Sequence, residues 1–313
     1  MTKIWKVIVN PKAGRGHGRR DWPEIMKLIE KAGLDYSVSF SERKYHAIEL
    51  AKTAVSEGYR KFIAVGGDGT LHEVLNGICS QSEVPGKELT LAVIPVGTGN
   101  DWGKMNGIPD AYEGAVEIIK EGNCQLQDIA EVQSVKAGKN HLRYMLNIGG
   151  LAFDANVCHH YDRYKMDGLG GKKLYIRSLF KAFFGYTSRR LHIETDGKLF
   201  YDGKVFSTAL GIGKYSGGGM IQTPEASPTD GLIDITVYRK IPKIVIVFNL
   251  ARLYRGTIFN MSKVIHTKAK EISITSSPES RVEVDGEAVG VTPVNIKILP
   301  LAINIVRNKE NNI

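Results

Sequence analysis

The sequence predicts an α/β domain followed by a mostly β domain, on three observations. Short apolar runs closed by glycines alternate with helically spaced stretches as far as Gly122. From about Gln125 the strands are separated by turns instead. A chain of 313 residues with 42% hydrophobic content holds one large core or two ordinary ones, and two is the better expectation.

The elements of the first half follow in order. Trp5 to Val9 is a β-rich run that ends in Asn10-Pro11-Lys12-Ala13-Gly14-Arg15-Gly16, a loop of glycines, proline and cations at a strand's carboxyl end, where open α/β sheets bind ligands. Asp21 and Pro23 start a helix with Trp22, Ile25, Leu28 and Ile29 on its apolar positions, stopped by Gly33. Tyr36 to Phe40 is a strand, and His46, Ile48, Leu50, Ala51, Ala54 and Val55 lie on a helix ending at Gly58. Phe62 to Val65 is a buried strand, after which Leu71, Val74, Leu75 and Ile78 fall at helical spacing. Leu89 to Pro95 is a further strand running into Val96-Gly97-Thr98-Gly99-Asn100-Asp101, and Ala111 to Lys120 a further helix. This alternation argues for a parallel sheet covered on both faces.

Between the third strand and its helix stands Gly66-Gly67-Asp68-Gly69-Thr70. Its glycines open the backbone to a ligand, and the helix start that follows offers N–H groups and a positive dipole end, so the turn suits an anion such as phosphate. A carboxylate there repels that anion unless a cation lies between them, which makes Asp68 a magnesium or water–magnesium contact. Read alone, the motif is equally a tight turn whose Asp caps the helix.

In the second half the expected strands are 128–135, 142–148, 191–195, 204–212, 233–238, 271–275, 281–284 and 294–298, with hairpin turns at Thr195-Asp196-Gly197, Tyr201-Asp202-Gly203 and Thr229-Asp230-Gly231. Two helical insertions, Gly170 to Tyr186 and Pro242 to Arg255, interrupt them. Residues 1–135 carry a net charge of −2 and residues 136–313 a net of +11. Arg163 to Arg190 holds eight basic residues and one acid, and Arg239 to Lys270 eight and none. Lys173, Arg177 and Lys181 form one stripe; it is a solvated face of a core helix or a surface for anionic headgroups. No apolar run approaches a membrane span, and Met1 to Trp5 reads as the start of a strand and not as a signal peptide, so the expectation is a cytoplasmic protein, at most peripheral to the inner face of a membrane. Cys79, Cys124 and Cys158 support neither a disulfide framework nor a zinc site.

Five motifs then occur in order: Asn10-Pro11-Lys12-Ala13-Gly14, Gly66-Gly67-Asp68-Gly69-Thr70, Pro95 to Asp101, Thr229-Asp230-Gly231-Leu232 and Val284-Asp285-Gly286-Glu287. Together they resemble the diacylglycerol kinase catalytic family, in its soluble bacterial lipid-kinase branch. The resemblance implies a nucleotide-binding α/β domain over 1–130 and a β-sandwich lipid-binding domain over 131–313, whose last residues pack back on the first domain, with the active site in the cleft between them. It implies ATP contacts at Asn10, Pro11, Lys12, Ala13, Gly14, Ser41, Gly66, Gly67, Asp68, Gly69, Thr70, Leu71, His72 and Thr98; Ser41 stands where the family usually has Thr, which keeps the hydroxyl. It implies a structural magnesium held by the Asp230 carboxylate and the carbonyls of Ser227 and Leu232, although an Asp-Gly turn also explains Asp230. Asp68, Asp285 and Glu287 are the implied catalytic carboxylates, the last two sharing general-base or hydroxyl-orienting duty, without a decision between them; read alone, Asp285-Gly286 is a hairpin turn.

The activity so implied is transfer of the γ-phosphoryl of ATP, with Mg2+, to a lipid hydroxyl, most simply diacylglycerol to phosphatidic acid. Phosphatidylglycerol or a sphingoid base would also fit. NAD kinases share the glycine loop and are the nearest soluble-substrate alternative. A nucleic-acid-binding protein would leave the glycine loops unexplained, and a silent lipid-binding regulator would not need all three carboxylates. The expected partner is a lipid at a membrane surface and not nucleic acid; a homodimer stays open.

Overall fold

The structure, a computed structural model, describes residues 4–97, 99–166, 183 and 185–310. The chain divides into two compact units: Met1–Asp128 with Leu301–Ile313, and Ile129–Pro300.

The first unit is built on β1 (Trp5–Val9), β2 (Tyr36–Phe40), β3 (Lys61–Gly66) and β4 (Thr90–Pro95). They lie in the order β4-β3-β1-β2 and all run parallel, and Asn304 and Ile305 add a parallel neighbour to β4. Helices cover both faces, so the central strands are apolar throughout: Val7 to Val9 and Phe62 to Val65 are fully buried. The covering helices are α2 (Trp22–Lys31), α3 (His46–Ser56), α4 (Asp68–Cys79) and α6 (Tyr112–Glu121), which bury Ile25 and Ile29, Ala51 and Val55, Leu71 and Leu75, and Ala115 and Ile119. Glu73 of α4 accepts the backbone N–H groups of Tyr45 and Ala47, so one helix holds the start of its neighbour. Two short segments were not expected. Residues 13–20, labelled α1 (Ala13–Arg20), are helical only beyond Gly16, because Gly14, Arg15 and Gly16 all take left-handed φ. After the loop that follows β4, α5 (Asp101–Met105) makes one turn and buries Trp102, whose indole N–H reaches Gln127 at 3.2 Å.

The second unit takes β5 (Cys124–Lys136) from Ile129 onward, in a hairpin with β6 (Lys139–Met145), then β7 (Ile148–Ala152), α7 (Phe153–Met166), β8 (Arg189–Thr195), β9 (Lys198–Gly211), β10 (Tyr215–Ser216), β11 (Met220–Ile221), β12 (Ile233–Arg239), α8 (Lys243–Arg255), β13 (Val264–Ala269), β14 (Glu271–Ser276), β15 (Arg281–Val284) and β16 (Glu287–Val306) as far as Pro300. Two long strands knit its layers together. β9 pairs β8 along its first half, and along its second half β7 and β12. β16 pairs β15 at Glu287 to Val291, and pairs β14 at Val294 to Lys297. The layers enclose one apolar core that includes Leu191, Val205, Leu210, Ile235, Ile274 and Ile296, with Phe153 stacked on Phe206 at 4.6 Å.

The expected turn at Tyr201-Asp202-Gly203 does not exist. Those residues lie inside β9, where Tyr201 faces Ile193 and Gly203 faces Leu191, and the missing side chain at Gly203 makes room for the Tyr201 ring. β7, α7 and β13 were not anticipated. The insertion expected at 170–186, with Lys173, Arg177 and Lys181, falls almost wholly outside the described residues. Among the described residues no helix is long and apolar enough to cross a membrane.

Candidate active site

In the first unit, three loops at the carboxyl ends of β1, β3 and β4 are laced together. The Asn10 N–H donates to the Val65 carbonyl at 3.0 Å, and its side-chain amide donates to Thr70 Oγ1 at 3.0 Å, while Asn10 Oδ1 accepts the Lys12 N–H. The Val96 N–H donates to the Gly66 carbonyl at 3.0 Å, and the Asp68 N–H donates to the Gly99 carbonyl at 2.9 Å. Gly14 and Gly97, at φ +57° and +113°, lie back to back: a Cβ on Gly14 would stand 3.1 Å from the Gly97 Cα. No side chain fits between these loops, so their backbones form the surface there.

Asp68 does not cap its own helix; Gly67 occupies the N-cap position, with no side-chain cap. The Asp68 carboxylate instead accepts the N–H groups of Asp101, at 2.9 Å, and Trp102, at 3.3 Å. It therefore pins the first turn of α5, the turn that follows the third loop. A carboxylate is a hard oxygen donor of the kind that fits magnesium. Asp101 is buried beside it, a residue quoted in the motif but given no role by sequence reasoning.

The other expected nucleotide contacts fall into three groups. Pro11, Lys12, Ala13, Gly14, Gly66, Gly67, Gly69 and Thr70 lie on or beside these loops, and Ser41 stands at the end of β2 with its N–H donated to the Val9 carbonyl. Leu71 and His72 have buried side chains, and His72 lies against Asn76. Thr98 lies outside the described residues.

The second unit carries the acidic hairpin. Asp285 and Gly286 take φ +50° and +80°, the left-handed pair of a type I′ turn between β15 and β16. The turn also has a job. The Asp285 carboxylate accepts three consecutive backbone N–H groups, from Leu146 at 3.0 Å, Asn147 at 2.9 Å and Ile148 at 3.2 Å, and so fixes the turn to the start of β7. Glu287, the first residue of β16, is buried. Glu283 is buried on the same hairpin and accepts the Gly286 N–H at 3.0 Å. Burial, and then the neighbouring carboxylates Asp154, Asp285 and Glu287, push the Glu283 carboxyl well above the usual carboxylate range. Burial pushes Asp154 up to about 6, against the opposing hydrogen bonds of Ser207 and Gln222. Neither Glu283 nor Asp154 was singled out from sequence, because Asp154 belongs to an unanticipated helix and Glu283 reads as an ordinary strand residue.

The loop before β12 is closed by a lysine. Lys268 Nζ stands 2.9 Å from Asp230 Oδ2 and 3.3 Å from Asp234 Oδ2, and donates to the Glu225 carbonyl at 2.8 Å. The second Asp230 oxygen accepts the Leu232 N–H at 3.1 Å. The residues here do not fit the expected magnesium, since an ammonium already takes the carboxylates. Among the described residues there is no group of three or more His, Cys, Asp or Glu side chains able to hold a metal by themselves.

The family model described as diacylglycerol kinase catalytic domain matches residues 4–132, and that described as YegS C-terminal NAD kinase beta sandwich-like domain matches 150–307. Relatives named diacylglycerol kinase from Staphylococcus aureus, strains MRSA252 and Newman, are each 32% identical over 305 residues, covering 97% of this chain and 92% of theirs. A solved diacylglycerol kinase structure from Bacillus anthracis str. Sterne superposes with a TM-score of 0.72 at 23% identity, covering 99% of this chain and 98% of its own. Another solved chain from that strain gives 0.78 at 25% identity and 99% coverage of both. The chain belongs to the diacylglycerol kinase family, with an N-terminal α/β catalytic domain and a C-terminal β-sandwich-like domain.

Proposed function

We propose that the protein is an ATP-dependent lipid kinase that phosphorylates the hydroxyl of diacylglycerol at a membrane surface. The observation that carries this reading is the laced trio of loops around Asp68, together with relatives of that name over nearly the whole chain. Backbone N–H groups of the glycine loops would bind the nucleotide phosphates, and Lys12 and Arg15 on the same loop would add positive charge. Bound magnesium would offset the charge on the transferred phosphoryl group; Asp68 would hold it, with phosphate oxygens and water completing its shell.

The proton of the attacking hydroxyl needs an acceptor. Asp285 is committed to three amides, which supports Glu287 as that acceptor and Asp285 as the residue that fixes the hairpin. Glu283, whose carboxyl burial and its neighbours push well above the usual carboxylate range, holds its own proton more tightly and is the less suited acceptor. The NAD kinase alternative keeps one argument, the sandwich-like second domain named for that enzyme.

The test is transfer of radiolabel from ATP to diacylglycerol, phosphatidylglycerol and a sphingoid base in mixed micelles, and to NAD in solution. Preferential labelling of diacylglycerol is expected. Labelling of NAD alone would overturn the proposal.

A further inference from the structure

We propose that α8 is the surface by which this protein docks on an anionic lipid bilayer. The helix is apolar on two sides. Ile246 and Leu253 turn inward onto the core of the second unit. On the outward side, Ile244, Val247 and Phe248 follow helical spacing and are 61%, 49% and 80% exposed, with Tyr254 at 56% beyond them. A helix serving only the core carries polar residues on its outer side, and a patch of this kind calls for a covering partner.

The surrounding charge identifies that partner. The helix itself carries Lys243, Arg252 and Arg255 and no acid, with Lys243 and Arg255 at its two ends. An anionic bilayer supplies both the apolar layer and the opposite charge. A second copy would bring one cationic patch against another. The inference rests on the lipid-kinase reading for its purpose, but binding is measurable without nucleotide or turnover.

The experiment is sedimentation of the full chain with vesicles of phosphatidylcholine, with and without phosphatidylglycerol. Parent protein should follow the anionic vesicles, and Phe248→Ser should bind them about tenfold more weakly or worse, with unchanged circular dichroism. The same variant should still phosphorylate a short-chain, water-soluble diacylglycerol. Tryptophan emission of Phe248→Trp should move to the blue when anionic vesicles are added. Equal vesicle binding by parent and Phe248→Ser overturns the proposal, as does unshifted emission. A parent dimer that Phe248→Ser dissociates, with vesicle binding intact, would make α8 a self-association surface and also overturn it. Vesicle binding lost in Phe248→Ser upholds the docking surface even if the parent phosphorylates no lipid, an outcome that removes only the kinase reading.

A second inference stands on different residues. We infer that Lys268 replaces a structural cation in the Asp230 loop, so that this loop folds without metal. Its ammonium lies where the Asp230 and Asp234 carboxylates and the Glu225 carbonyl converge, and a divalent ion at that point would meet like charge at contact distance. Melting of nucleotide-free protein in EDTA and in millimolar magnesium reads this directly. The parent Tm should be the same in both, whereas Lys268→Met should melt several degrees lower in EDTA and recover with magnesium. A parent Tm that rises with magnesium, and no longer rises in Asp230→Asn, would overturn the inference; this arm does not need the Lys268 variant to fold.

Discussion

Replacing Asp285 separates the two carboxylates of the late acidic hairpin. Its oxygens accept three backbone N–H groups, one on Oδ2 and two on Oδ1. Asparagine can keep one acceptor oxygen for Asn147 and Ile148, but turns an NH2 toward the Leu146 N–H. The loss is one charge-assisted hydrogen bond and the charge on the other two, about 1.5–3 kcal/mol. For a unit of this size that lowers Tm by about 3–12 °C. Asp285→Ala leaves all three amides without their acceptor and costs more, about 3–5 kcal/mol. Glu287→Gln keeps the size of a buried side chain, so it should melt close to the parent while single-turnover phosphorylation at saturating ATP and lipid falls by about a hundredfold or more. Differential scanning calorimetry and the single-turnover rate form the assay. A parent-like Tm in Asp285→Asn, with a parent-like rate in Glu287→Gln, would refute the division of labour.

Other variants test the remaining parts. Asp68→Asn should lose about a hundredfold or more of turnover while circular dichroism stays that of the parent, since one oxygen still accepts from the first turn of α5; near-normal turnover would remove Asp68 from the chemistry. Gly14→Ala puts a methyl 3.1 Å from the Gly97 Cα in a left-handed position, so ATP binding measured by calorimetry should weaken about tenfold or more. Asp154 titrates near 6 in the fold against an ordinary 3.8. The folded state therefore holds this proton more tightly than the unfolded chain, and stability falls as pH rises from about 4 to 6, by at most about 3 kcal/mol. Asp154→Asn, melted across that range, should lose this slope; an unchanged slope would rule Asp154 out as its source.

Much of the first unit was readable because its periodicities are unmixed. Phe62 to Val65 has no polar residue and is closed by glycines, and α2, α3 and α6 each carry one apolar face, so strands and helices separate cleanly. The glycine loops were readable for the same reason, as positions where side chains are missing. The partners of the charged residues were not. Asp68 reaches amides 33 and 34 residues away, Asp285 reaches amides more than 130 residues back, and Lys268 meets Asp230 only because β13 pairs with β12. The strands β9 and β16 look like shorter pieces in sequence, since each changes neighbours midway and the burial pattern changes with it. β13 escaped notice because only its ends, Val264 and Ala269, are buried, which leaves no alternation to follow.

The central claim is that this chain moves the γ-phosphoryl of ATP to the hydroxyl of diacylglycerol, with Glu287 taking the proton. A single-turnover measurement with γ-labelled ATP and diacylglycerol in mixed micelles, run on parent and Glu287→Gln over a range of pH, tests it most directly. The account predicts labelled phosphatidic acid from the parent, and from the variant a rate lower by about a hundredfold or more across that range. Unlabelled diacylglycerol with the parent, or a variant that matches the parent's rate at every pH, would contradict it.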